Sequence, residues 1–290
     1  MMNNYKLSNF NFGRAFIYLI LIFFALIYLA TLYVMFTTSL KDIEEIRSGN
    51  LMALPLDPTL YAWKKAWSSA CTGSDCQGLA PYFWNSVQIV VPAVIISTVV
   101  GAFNGYALAK WKFKGSELLF GALLFGCFIP FQVILLPMAK LLGELGLANT
   151  VTGLVLVHVI YGVAFTTLFF RNYYVGIPTE LVKAAKLDGA GFLSIFRHIF
   201  IPLSTPIFVV TIIWQFTQIW NDFLFGVVYS GSGTQPITVA LNNLVNTSVG
   251  GKEYNVDMAA AIIAAMPTLV VYVIAGKYFV KGLTAGAVKG

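Results

Sequence analysis

Long uncharged runs alternate with short charged segments along nearly the whole chain. Six runs stand out, at residues 15–40, 83–109, 118–139, 151–170, 204–229 and 258–276, the fifth interrupted only by Asp222. About 20 apolar residues in a helix cross a bilayer, so each run predicts a transmembrane helix. The first is too long for a signal-peptide core of about 7–15 residues and is read as an uncleaved span. Pro130 and Pro137 fall inside the third run and predict a kink there, not a boundary. Between the runs lie a polar segment at 41–81, short links at 110–114 and 143–150, a charged stretch at 171–203, a Gly/Ser/Asn-rich loop at 230–257 and a glycine-rich tail at 277–290.

Composition sharpens this reading. The 290 residues are 58% hydrophobic and 10% charged, with mean hydropathy +0.79. Soluble domains carry about 25% charged residues, so the chain is predicted to be an all-α polytopic membrane protein with six transmembrane helices. Its net charge of +6 fits topology-setting loops, not nucleic-acid binding. Six spans put both termini on one side. Twelve of the eighteen Lys and Arg belong to that side: Lys6, Arg14, Lys110, Lys112, Lys114, Arg171, Lys183, Lys186, Arg197, Lys277, Lys281 and Lys289. By the positive-inside rule that face is cytoplasmic, and the 41–81 and 230–257 loops are extracytoplasmic.

On that topology Cys71 and Cys76 lie in an oxidising compartment a tight turn apart. A disulfide is expected there; two free thiols in a loop is the alternative. Cys127 falls within the third span and reads as a packing residue. No G-x-x-x-x-G-K-[ST] occurs: Gly251-Lys252 is followed by Glu253, and Gly276-Lys277 by Tyr278. The chain therefore lacks the usual phosphate-cradling loop for ATP hydrolysis of its own. H-E-x-x-H, G-x-S-x-G and paired carboxylates at membrane depth are also absent, and His158 and His198 suggest no metal cluster. A translocating subunit energised by another protein fits this better than a catalyst.

The segment 177–202 organises the rest. Pro178 suits a first helical position, Glu180 and Lys183 stand three residues apart, and Leu181, Ala184 and Ala185 are expected to share a face. Asp188-Gly189 stops this helix, and a second amphipathic helix at about 192–201 ends before Pro202. Two short helices joined at a glycine corner can protrude to meet another subunit or merely connect two spans.

The residue spacing of this segment resembles the cytoplasmic-loop signature of ABC importer permeases, E-A-A-x-x-x-G with I-x-L-P nine residues on. The matching positions are Lys183-Ala184-Ala185, Gly189, Ile199, Ile201 and Pro202, with Lys183 where the signature has glutamate. Asp188-Gly189-Ala190, Phe196, Asn85-Ser86, Trp220-Asn221-Asp222-Phe223 and the ending from Lys281 to Gly290 are similar to the carbohydrate-uptake branch. The resemblance implies a maltose-type permease of type I importer fold in the bacterial inner membrane. It implies a second homologous permease, two ATP-binding cassette subunits that hold ATP and magnesium, and an extracytoplasmic sugar-binding protein; this chain would bind no cofactor. Glu180, Lys183, Ala184, Ala185, Asp188, Gly189 and Ala190 are then the ATPase-coupling residues. Lys183, Lys186 and Arg197 either pair with acidic groups on the ATPase or face water and lipid head groups.

Asn85, Gln218, Asn221 and Asp222 are the candidates for the translocation path. An intramembrane carboxylate such as Asp222 is by default a functional candidate; the alternative is that it caps or pairs with a neighbouring helix. Trp214 and Trp220 are positioned either to stack on a sugar or to anchor at the interface, and His158 reads as a packed neutral residue. The tail 282–290 either inserts between the ATPases or frays. Overall likeness, including the cysteine-bearing outer loop, points to a monosaccharide such as glucose or mannose. A secondary carrier or channel independent of any ATPase is the alternative.

Overall fold

The computed structural model describes residues 12–111, 113–247 and 251–287, with side chains to Gly276. Four helices are long and apolar enough to cross a membrane. They are α1 (Phe12–Ser39), α4 (Ala80–Lys110), α7 (Val151–Val175) and α14 (Tyr254–Ala287). The segment between α1 and α4, read above as a polar loop, contains the short helices α2 (Ile43–Ser48) and α3 (Tyr61–Ser68). The last of the four, α14, continues past 276, so the backbone of the predicted tail is helical as far as Ala287.

The two remaining crossings are bent. In the first, α5 (Ser116–Phe128) meets a 3-10 turn, Phe131–Ile134, and α6 (Leu135–Glu144) at 96°. Pro130 is therefore a break rather than the expected kink. Ile129 before it is extended, at φ −68° and ψ 122°, because the proline ring disfavours helix in the preceding residue. Pro137 lies in the first turn of α6, where a missing N–H is tolerated.

The second bent crossing starts after α8 (Thr179–Leu187). It runs through α9 (Phe192–Ile195), a π turn at Phe196–Phe200 and α10 (Ile201–Leu203), then turns 79° into α11 (Thr205–Trp220). The break falls at Ser204, not before Pro202 as expected, and Ser204 Oγ donates to the Phe200 carbonyl. This span ends at Trp220, nine residues short of the expected limit. Residues 224–229 form a separate helix, α12 (Leu224–Tyr229), and the expected outer loop contains α13 (Ile237–Asn246).

Contacts sort the connections to two ends. At one, Lys110 Nζ donates to the Ile177 carbonyl at 2.5 Å and Arg171 lies 3.7 Å from Glu117. At the other, Asn255 donates to the Lys41 carbonyl, Trp63 Nε1 to Ser39 Oγ, Asn85 to the Gly233 carbonyl and Thr234 to the Asn149 carbonyl. With each bent pair taken as one span, the long helices and the bent pairs give up to six crossings. The centre is the α4–α7 pair, which packs through glycines. A side chain at Gly101 would strike Thr166, and one at Gly105 would come within 2.7 Å of the Arg171 backbone nitrogen. Small residues let membrane helices approach this closely, where van der Waals contact takes over from the hydrophobic effect.

Candidate functional site

The segment expected to couple is mounted on an aromatic platform. Tyr106, at the base of α4, is fully buried and packs against Phe192, Phe196 and Phe200, with ring centroids 4.7, 5.2 and 4.6 Å away. Its hydroxyl donates to the Phe192 carbonyl at 3.2 Å and accepts from Trp111 Nε1 at 2.7 Å. Tyr174 and Phe170 of α7 and Ile195 complete this core. Onto it α8 presents Val182, which is buried, and Ala185. Lys186 lays its ammonium 4.0 Å from the centre of the Trp111 ring, a cation–π contact.

The opposite stripe of α8 is bare. Glu180, Lys183, Ala184 and Leu187 recur at helical spacing and are exposed, with Leu187 89% accessible and Leu181 beside them at 42%. No ion pair joins Glu180 to Lys183 among the described residues. Asp188 closes the helix and Gly189 turns it at φ +80°. The Ala190 N–H then returns to the Ala185 carbonyl at 2.9 Å, satisfying a terminal carbonyl as a left-handed glycine cap does. Of the seven expected coupling residues, Glu180, Lys183, Ala184, Asp188 and Gly189 face outward. Ala185 and Ala190 pack partly against the platform, so Ala185 departs from the face it was expected to share with Leu181 and Ala184.

The residues expected along the path divide similarly. Asp222 is a hub: its carboxylate accepts the Gly226 N–H at 3.1 Å and the Phe225 N–H at 3.4 Å, capping α12. His158 Nε2 of α7 lies 3.8 Å from the same carboxylate, and the Asp222 carbonyl accepts from Thr238 of α13 at 2.5 Å. Asn85 staples α4 to the Gly233 and Gln235 carbonyls. Gln218 on α11 and Asn221 just after its end are exposed, the Thr268 hydroxyl of α14 donating to Asn221 Oδ1 at 3.4 Å.

Both tryptophans pack within the helices. Trp220 is buried and donates to the Ala264 carbonyl at 2.9 Å, in the turn that Pro267 loosens. Trp214 packs against Phe165 and Phe169. Cys71 and Cys76 have their sulfurs within bonding distance, beside the Thr72–Asp75 bridge, and Cys127 is a free, half-buried thiol. The side chains of the tail at 282–290 lie outside the described residues.

Sequence reading missed the platform and a buried amide, Gln215. Its Nε2 donates to Ser97 Oγ at 2.6 Å. A glutamine in an otherwise apolar run is a signal for Gln215. Tyr106 and Trp111 carry no such mark, because an aromatic at a span end reads as an interface anchor.

Comparison with known proteins matches this geometry. The family model described as "Binding-protein-dependent transport system inner membrane component" matches residues 97–284. A probable ABC transporter permease protein of Pyrococcus horikoshii is 40% identical over 278 residues, 96% of this chain and 98% of that protein. The xylose/arabinose import permease protein of Haloferax volcanii is 30% identical over 298 residues, 96% of this chain and 94% of that one. The fold is that of a chain in the crystal structure of a bacterial ABC transporter involved in import of the acidic polysaccharide alginate. There the TM-score is 0.79 at 23% identity, covering 96% of this chain and 100% of that one. With up to six crossings, an exposed helix α8 closed by a glycine turn and a family match over residues 97–284, the chain belongs to the binding-protein-dependent transport system inner membrane components, as a transport subunit.

Proposed function

We propose that this chain is one permease of an ATP-driven importer that carries a sugar across the bacterial inner membrane. A second homologous permease completes the path, two ATP-binding cassette subunits hold ATP and magnesium, and an extracytoplasmic sugar-binding protein delivers the cargo. The observation that carries this is α8: exposed on one stripe, fixed to an aromatic platform on the other, and continuous through α9 and α10 with α11. A partner gripping the outward stripe moves a span with it. On this reading Glu180, Lys183, Ala184, Asp188 and Gly189 meet the ATPase, Ala185 and Ala190 set the height of the helix, and Gln218 and Asn221 face the path. Asn85 and Asp222 shape its outer end from behind.

The finer proposal for cargo is a monosaccharide such as glucose or mannose. It rests on overall likeness, and the relative from Haloferax volcanii is named for xylose and arabinose, so a binding panel on the cognate binding protein must include pentoses and oligosaccharides. The coupling role is tested with the assembled complex. Ala184→Asp and Gly189→Pro should leave the chain inserted and abolish vanadate-sensitive uptake. Normal uptake in both variants, or uptake in liposomes by this chain alone, would refute it.

A further inference from the structure

We infer that Gln215 is a positioning residue of transport, fastening α11 to the α4–α7 pair so that the three helices shift as one body. The inference rests on the proposed function, in which motion enters α11 from the coupling segment through the bend at Ser204. Gln215 is 2% exposed. It donates to Ser97 Oγ of α4, which donates in turn to the Ala93 carbonyl at 2.6 Å. The Ser97 carbonyl accepts from Thr166 of α7 at 2.8 Å. Gly162 of α7 is what admits the amide, since a Cβ there would overlap the Gln215 side-chain nitrogen. Three crossings thus meet at one amide.

Among the described residues this is the polar tie between α11 side chains and α4 or α7. The Thr211 hydroxyl one turn earlier is buried without a partner. The other α11 contacts with α7 include aromatic packing, Phe208 against Phe170 and Trp214 against Phe165 and Phe169, which carries no hydrogen bond. Hydrocarbon supplies no water to replace a broken partner, so the tie is either made or broken, with no solvated state between. A displacement arriving at Thr205 is therefore transmitted to α4 and α7 at the height of Gln215. Without the tie, α11 can slip and the outer end, where Asp222 bridges α12, α13 and α7, need not follow.

The test uses the whole transporter in proteoliposomes with its binding protein, measuring sugar imported per ATP hydrolysed. Gln215→Met keeps the length and removes the donor, Ser97→Ala removes the acceptor, and Gly162→Ala displaces the amide without altering it. Each should lower the import-to-hydrolysis ratio at least threefold while hydrolysis stays within twofold of the parent. The Gln215→Met/Ser97→Ala double variant should be no worse than the poorer single one. An unchanged ratio in all three single variants overturns the assignment. So does a parallel fall of import, hydrolysis and recovered complex, which marks Gln215 as a packing residue only. Import by the parent chain without ATP would instead overturn the function on which the inference rests.

Discussion

Replacing Gly105 by alanine places one methyl group between α4 and α7. Its carbon would stand 2.7 Å from both the Arg171 nitrogen and Phe170 Cβ, and 2.9 Å from the Phe170 carbonyl carbon. The Arg171 nitrogen and Phe170 carbonyl carbon are backbone, so no rotamer relieves the clash and the helices must part by several tenths of an ångström. Overpacking of this kind costs about 1–3 kcal/mol. Gly121 is the internal control, because a Cβ there meets nothing within 4 Å. At that position alanine contributes only its better helix propensity, up to about 1 kcal/mol in its favour, and the same gain applies at Gly105, so it cancels in the comparison. The two sites should therefore differ by the overpacking cost alone, about 1–3 kcal/mol. At roughly 2–4 °C per kcal/mol for a chain of this size, the thermal midpoints of the detergent-solubilised complexes should separate by about 2–12 °C. Midpoints within 1 °C of each other would refute the claim that close backbone approach holds this pair together.

Three further outcomes follow from the geometry. Tyr106→Phe keeps the ring but leaves the Trp111 N–H and the Phe192 carbonyl without their partner, a loss of about 1–3 kcal/mol. Amide exchange over 192–200 should accelerate while that of α4 does not, and equal protection would contradict the platform. At the outer end, the hydrogen bond to Glu253 raises the pKa of Lys65 above 10.5, partly offset by burial. A raised lysine contributes its full stabilisation below pH 10.5 and loses it only as pH rises through the higher folded value. The midpoint difference between parent and Glu253→Gln should thus stay constant from about pH 6 to 9, and a collapse near neutrality would sink the pairing. Alkylation followed by mass measurement should add two labels at Cys71 and Cys76 only after reduction; labelling without reductant would count against the bridge.

The crossings were legible because lipid imposes one rule on every span: a long apolar run with its backbone bonds closed internally. What the rule does not specify is where a span breaks. Pro130 and Pro137 look alike in the sequence, yet only Pro130 breaks the span, because Pro137 is the third residue of α6, in the first turn, where a missing N–H is tolerated. The fifth span was overrun to 229 because Phe223–Tyr229 is as apolar as the helix before it. Asp222, which ends one helix and caps the next, was visible but read first as a membrane carboxylate. Helices α3 and α13 were missed because they are half-polar elements lying against α14 and α4, and a loop-rich composition hides them. The helix boundaries of the segment 177–189 were the most legible part, since Pro178 and Gly189 mark its corners. Its platform was the least, since Tyr106 and Phe192 are 86 residues apart and only the fold brings them together.

The proposed docking also accommodates the departure at Lys183. Both cations of α8 are exposed: Lys186 lays its ammonium over the Trp111 ring, whereas Lys183 stands on the outward stripe with Glu180. An exposed ion pair contributes about 0.2–1 kcal/mol and is weakened by salt. Burying a leucine side chain as exposed as Leu187 contributes about 1.5–3 kcal/mol. On the proposed docking, Leu187 with Leu181 and the close approach allowed by Ala184 therefore outweighs whatever charge stands at 183. On that docking a lysine at 183 costs no grip, because shape would hold the helix on both sides: the aromatic platform behind it and Leu181 and Leu187 against the partner in front.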